Sequence, residues 1–167
     1  FRSPTGTTGT TGPTGTTGPM GPAGVSSGQV LYLNYSQTPS PPINTYKALS
    51  PTVSGAAQTT INTSVVNGTS NNILTSYANA ISALTPTPFI PPGIWDMNIF
   101  ASLNAIPTTG AVSIKFQVYG RTAGGVETLI ATSSLVPITT TSVAQYSCLT
   151  QIPYTNLSSY ASLVVKV

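Results

Sequence analysis

The ten residues AVSIKFQVYG, Ala111 to Gly120, alternate without a break. Val112, Ile114, Phe116 and Val118 fall on one side, and Ser113, Lys115, Gln117 and Tyr119 on the other. Side chains repeat every two residues along a strand and about every 3.6 along a helix. The stretch therefore reads as a half-buried strand with its apolar side on the core. Its neighbours follow the same rule. GIWDMNIFASL, Gly93 to Leu103, sets Trp95, Met97, Ile99, Ala101 and Leu103 against Asp96, Asn98, Phe100 and Ser102. GVETLIATSS (125–134) and TSVAQYSCL (141–149) alternate less cleanly but also read as strands. Turn formers separate them: PPG at 91–93, NAIPTTG at 104–110, RTAGG at 121–125 and QIPYTN at 151–156.

Two segments do not alternate. VLYLNY (30–35) and ASLVVKV (161–167) are apolar on both sides, as strands covered on both faces are. Paired side by side, they would bring both ends of the domain to one base and turn their outer faces to sister chains. That makes Val30, Tyr32, Leu163 and Val165 the candidate contacts between copies. The stretch from Gln37 to Pro92 is less regular. INTYKAL, TTINTSVV and NNILTSY are plausible short strands. Ile73, Tyr77, Ile81 and Leu84 also suit one amphipathic helix, capped by Asn71 or Asn72 and stopped after a turn or two by TPTP. Abundant threonine and β-branched residues favour strand plus loop. With roughly eight to ten strands and little helix, the expected class is an all-β antiparallel sandwich of jelly-roll type.

The N-terminal end obeys a different period. In TGTTGTTGPTGTTGPMGPAG, Thr5 to Gly24, glycine stands at Gly6, Gly9, Gly12, Gly15, Gly18, Gly21 and Gly24. Three polyproline-II strands can wind round one axis only if the residue at the axis lacks a side chain, and every third residue meets that axis. A flexible linker has no reason to hold such a period. The tract reads as a collagen-like stalk, the end of a longer one. Phe1, Arg2 and Ser3 fit neither the triplets nor anything downstream and read as a cloning scar. The expected division is residues 1–3, a stalk over 4–27 and a globular head over 28–167.

Charge is scarce. Arg2, Lys47, Lys115, Arg121 and Lys166 face only Asp96 and Glu127, with no histidine. Charged residues make 4% of the 167, where about 25% is usual. Scattered cations make no basic stripe for nucleic acid and no polybasic membrane anchor. No run approaches the length of apolar residues needed to span a bilayer. A surface with 40% apolar composition and so few charges tends to stick to copies of itself. This favours an oligomer, and the triplet tract sets the number at three. The single cysteine, Cys148, shares a side with Ala144 and Tyr146 and reads as a small buried hydrophobe.

Catalytic patterns are missing. General acid–base work needs titratable groups close together, and Asp96 and Glu127 lie on separate expected strands. Asp96 reads as a polar neighbour of Trp95, and Glu127 as a solvated strand residue. Serine has no histidine partner, and a Ser–Lys dyad through Lys47, Lys115 or Lys166 has no supporting motif. The chain has no CxxC, HExxH, EF-hand, Walker or GxGxxG pattern, and TAGGVE reads as a hairpin turn. No enzyme activity, metal or cofactor is expected. Sequons at Asn34, Asn62, Asn67 and Asn156 are no more than composition predicts. Among the aromatics, Tyr119 is the best candidate for an exposed binding residue.

A threonine-rich Gly-X-Y stalk before a β head resembles the collagen-like fibre proteins of giant DNA viruses and their virophages. The stalk GTTGTTGPTGTTGPMGPAG and the turn-strand IPPGIWDMNIFAS (90–102) carry the resemblance. Exosporium hair proteins of spore-forming bacilli and some phage tail fibres share the plan. The resemblance implies a homotrimeric jelly-roll head similar to the tumour-necrosis-factor and complement globular-head fold, with first and last strands adjacent. It implies a structural role at a virion surface, or else at a bacterial or spore surface. The tip of the head becomes a candidate for attachment to a host glycan or protein. A lectin-like trimer whose main task is recognition is the competing expectation.

Overall fold

The computed structural model describes residues 29–43, 45–64, 72–85 and 87–167. The stalk, its seven glycines and the 1–3 and 4–27 divisions lie outside them. The described chain is almost wholly β. One layer holds β1 (Tyr32–Asn34), β2 (Lys47–Ser50), β3 (Ser76–Ala80), β7 (Gln117–Arg121), β8 (Glu127–Thr132) and β12 (Ser162–Lys166). Their order across the sheet is β1-β2-β3-β12-β7-β8. The other layer is a long ribbon, β5 (Gly93–Ala101) against β10 (Ala144–Ile152), with Gly93 opposite Ile152 and Ala101 opposite Ala144. The ribbon resumes as β4 (Phe89–Ile90) against β11 (Thr155–Asn156). Between the two pieces stand Pro91, Pro92 and Pro153, which have no N–H to give a ladder. A short pair, β6 (Ser113–Ile114) with β9 (Val136–Pro137), flanks the ribbon.

One apolar core joins the layers. Leu49, Tyr77, Phe116, Val118, Leu163 and Val165 come from the sheet side, and Met97, Cys148 and Ile152 from the ribbon. The alternation of the sequence is what aims them. On β5, Trp95, Met97 and Ile99 turn inward, while Ile94 and Phe100 stay exposed. The Val112–Val118 side is likewise the inner one, yet the stretch is not one strand. It breaks at Lys115–Phe116, where Phe116 and the loop residue Ser133 exchange hydrogen bonds (Phe116 N to Ser133 Oγ and Ser133 N to Phe116 O, both 2.9 Å). The first half serves the ribbon side and the second the sheet.

Two expectations are corrected. The doubly apolar ends do not pair: β2 and β3 separate β1 from β12, and β12 instead lies antiparallel between β3 and β7. The sheet is also not purely antiparallel, because β2 runs parallel to β3. Both follow from one cause. The ambiguous stretch supplies β3, which takes the place next to the last strand, and β1 and β2 are added outside it. The same stretch gives both of its alternatives in turn: strand over 76–80, then one helical turn, α1 (Ile81–Leu84). The N-cap of that turn is Ala80 and no side chain caps it, so Asn72 does not have the expected role; Asn71 lies outside the described residues.

The outer face of the sheet is covered by its own chain. Across four strands it presents the row Ala48, Ala78, Val164 and Tyr119, and the first three are buried. The described residues of the connection from β1 to β2, 35–43 and 45–46, lie over this row. The Gln37 carbonyl accepts from Ala48 N at 2.9 Å, and the Ser40 carbonyl from Ala80 N at 3.3 Å. Lys47 pairs with Tyr77, so Ala80 is three residues further along β3, about 10 Å away. The loop must therefore double back along the strand to reach it, and Pro39 is fully buried. Small side chains at 48 and 78 leave room for this second layer of backbone.

Gly120 faces the core beside Leu163, and the Tyr160 ring lies over it. A Cβ there would sit 2.5 Å from the ring. Gly120→Ala is expected to cost roughly 1–3 kcal/mol in urea unfolding. Gly55→Ala, with nothing within 4 Å, should stay within about 0.5 kcal/mol of wild type.

Candidate functional site

The residues expected at contacts between copies divide sharply. Leu163 is 3% and Val165 5% exposed, and both are members of the chain's own core. They have no surface left to offer, so they are not carried forward. Val30 is 60% and Tyr32 38% exposed. They lie on and just before β1, the edge strand at the far side of the sheet from β8. Gln29 fixes where the chain enters this edge, because its side-chain amide donates to the Leu84 carbonyl of α1. Beside it, Leu31, Leu84, Trp95 and Leu163 line a small apolar recess.

The two carboxylates are kept apart. Asp96 projects from the outward side of the ribbon. It accepts from Ser147 Oγ at 2.5 Å and from Asn98 Nδ2 at 3.4 Å, and Gln145 Nε2 reaches Asn98 Oδ1 at 2.7 Å. These four polar groups form a ladder across β5 and β10, next to the exposed ring of Phe100. Glu127 belongs to the outer face of the sheet instead and is not a lone solvated residue. Its Oε2 lies 2.5 Å from Lys166 Nζ, and its Oε1 accepts from the Tyr46 hydroxyl. Burial pushes the Glu127 carboxyl up, but the hydrogen bonds from Lys166 and Tyr46 and the charges of Lys166 and Arg121 outweigh it. The net shift is below the usual 4.5.

Tyr119 is not an open binding aromatic. Lys166 Nζ sits 4.7 Å from its ring centre, and its hydroxyl donates to Gln117. Among the described residues the exposed rings are Tyr32, Phe100 and Tyr154, the last stacked on Phe89 at 5.6 Å. Asn34 is buried, and its side-chain Oδ1 accepts from the Ser36 hydroxyl. Lys47 lies 4.5 Å over the Tyr35 ring, and Lys166 is paired, so neither supports a serine–lysine dyad. Among the described residues, no group of three or more His, Cys, Asp and Glu could hold a metal ion. None of the helices there is long and apolar enough to cross a membrane. No pattern along the chain points to the contact of Tyr46 with Glu127, which are 81 residues apart.

Comparison with known protein families, curated proteins and solved structures finds no match to this chain.

Cys148 sits on the inward side of β10 with no measurable exposure, its thiol 3.8 Å from the Ile114 carbonyl. Burial first, and the charge of Asp96 second, push the thiol above its usual 9.0. Little thiolate forms and reagents cannot reach it. The folded protein should therefore leave a disulfide reagent unreacted at about pH 8. It should react with one thiol per chain once unfolded in guanidinium, as read by absorbance.

Proposed function

We infer that the chain is a homotrimeric fibre protein whose β head gathers three chains and sets the stagger from which a collagen-like stalk winds. The observation that carries this reading is the unbroken glycine triplet from Gly6 to Gly24, directly before an all-β domain. Closing three free chains into one helix is entropically costly, and a pre-formed head raises their local concentration to about the millimolar range. The tether limits where the copies meet. From Gly24 to Val30 is six residues, at most ~20 Å even when extended. A wound stalk holds three Gly24 residues close to one axis, so three Val30 residues must lie within that reach of it. The exposed Val30 and Tyr32 on the β1 edge are the apolar side chains nearest the tether. They replace Leu163 and Val165 as the residues assigned to the contact.

The jelly-roll reading belongs to the same proposal. It is supported by a chain that alternates between layers, with β3 and β7 in the sheet, β5 and β10 in the ribbon, and β12 returning between β3 and β7. The parallel β2–β3 pair is then an addition at the edge. Placement on a virion, or on a bacterial or spore surface, follows the sequence resemblance alone.

Light scattering on the full chain should give three chain masses. Val30→Asp with Tyr32→Asp should raise the dissociation constant by about tenfold or more, 1.4 kcal/mol per decade. A single-chain or two-chain mass for wild type would overturn the reading. With no histidine in the chain, the trimer mass should hold between about pH 5 and 8. Gly15→Ala should lower the melting of the stalk by circular dichroism and leave the head associated.

A recognition role has one specific observation in its favour. The Asp96–Asn98–Gln145–Ser147 ladder sets fixed hydrogen-bonding groups beside the exposed Phe100 ring, a combination suited to the polar edge and apolar face of a sugar. Binding of the trimer to a glycan array that disappears in Phe100→Ala would support it. A blank array would leave the structural role alone.

A further inference from the structure

The described residues of the loop between β1 and β2, 35–43 and 45–46, are held down at three points. Gln37 and Ser40 carbonyls take the amides of Ala48 and Ala80, and Tyr46 takes Glu127. The first two are backbone bonds with no titratable group of their own. The third is different, because it ends on one of only two acidic side chains in the chain. Just before Tyr46, Thr45 stands at φ 70°. That left-handed conformation is unfavourable for a β-branched residue and persists only where surrounding contacts hold it. The loop is thus seated under strain, with its last anchor at Glu127.

We propose that Tyr46, Glu127 and Lys166 form an acid-sensitive latch that keeps this loop closed over the outer face of the sheet and releases it when Glu127 takes up a proton. The groups that face Glu127 come from three directions. Tyr46 approaches from the loop and Lys166 from β12, at 2.5 Å. Arg121 approaches from β7, its guanidinium 6.0 Å from the Tyr46 ring centre. Tyr119, also on β7, lies under the Lys166 ammonium. Both carboxylate oxygens are engaged, and the Glu127 and Lys166 side chains are only 15% and 14% exposed. A protonated carboxyl would leave the Lys166 charge without its counter-ion and would compete with the tyrosine as donor.

The sign is fixed by the closed-state carboxyl, which lies below its usual 4.5. The latch is at full strength above that value and weakens as pH falls through the lower, closed-state value. At the alkaline end, burial and then Glu127 raise Tyr46 above 10.0. Burial lowers Lys166, but Glu127 more than compensates and holds it above 10.5. Neither partner therefore titrates near neutrality. Asp96, the other acidic side chain, is on the opposite layer and does not touch the loop. Release exposes the apolar row Ala48, Ala78 and Val164, which is buried in the closed state. The inference does not depend on how many chains associate.

Amide hydrogen exchange on the full chain, corrected for intrinsic rates, tests it. Protection at Ala48 and Ala80 should fall by about tenfold or more between pH 7 and pH 3, while Val164 in β12 keeps its protection. Glu127→Gln should show the low value already at pH 7 and no further fall in acid. Should that variant not fold, Tyr46→Phe removes only the hydroxyl and should show the same loss at pH 7. Unchanged protection at Ala48 and Ala80 in acid would overturn the latch. So would a loss shared equally by Val164, or a Glu127→Gln or Tyr46→Phe variant that behaves as wild type.

Discussion

The structure depends on the last strand. β12 is hydrogen-bonded along both edges, to β3 and to β7, and four of its five residues are buried. A strand in that position has to be apolar on both sides, and Leu163, Val164 and Val165 at its centre are. Leu163 and Val165 anchor the core against the ribbon, while Val164 belongs to the buried row on the outer face. Each layer therefore closes on β12: core and ribbon on one side, loop on the other. Lys166 ends the strand on the covered side, which is why the ion pair with Glu127 forms there.

That closure decides which surfaces a single chain leaves exposed. A double-apolar strand can be covered by another subunit or by its own chain, and here its own chain does both. What stays exposed near the tether is the β1 edge, where strand β1 has three residues and, among the described residues, one neighbour. Short edge strands normally limit unwanted pairing. On the proposed reading this one is completed by the other copies, and the near absence of charge in the head removes the repulsion that would oppose it. The outward side of the ribbon, with Ile94, Phe100 and Leu149 among polar neighbours, then remains free for recognition.

Local pattern was legible and partner choice was not. Alternation told correctly which residues of 93–101, 111–120 and 144–149 point inward, because direction depends on a strand's own pleat. It also identified 161–167 as a strand buried on both faces. It could not say which strands lie beside that one. Neighbours are chosen by the path of the connecting loops, and the stretch that supplies β3 had mixed periodicity: strand to Ala80, helical turn to Leu84. The break at Lys115–Phe116 was invisible because the inward side is the same before and after it. Tyr46 and Glu127 were equally hidden. Only the doubling back of the loop brings them together, and no residue in it announces that path.

The central claim is that each chain completes its own sandwich and leaves the β1 edge for its sisters. Cysteine cross-linking tests it most directly, since the native Cys148 is buried. A thiol introduced as Val30→Cys should give covalent dimers on mild oxidation, because three copies near one axis can join only in pairs. A chain that stays uncross-linked from Val30→Cys, yet forms dimers readily from Ile94→Cys on the outward side of the ribbon, would contradict it.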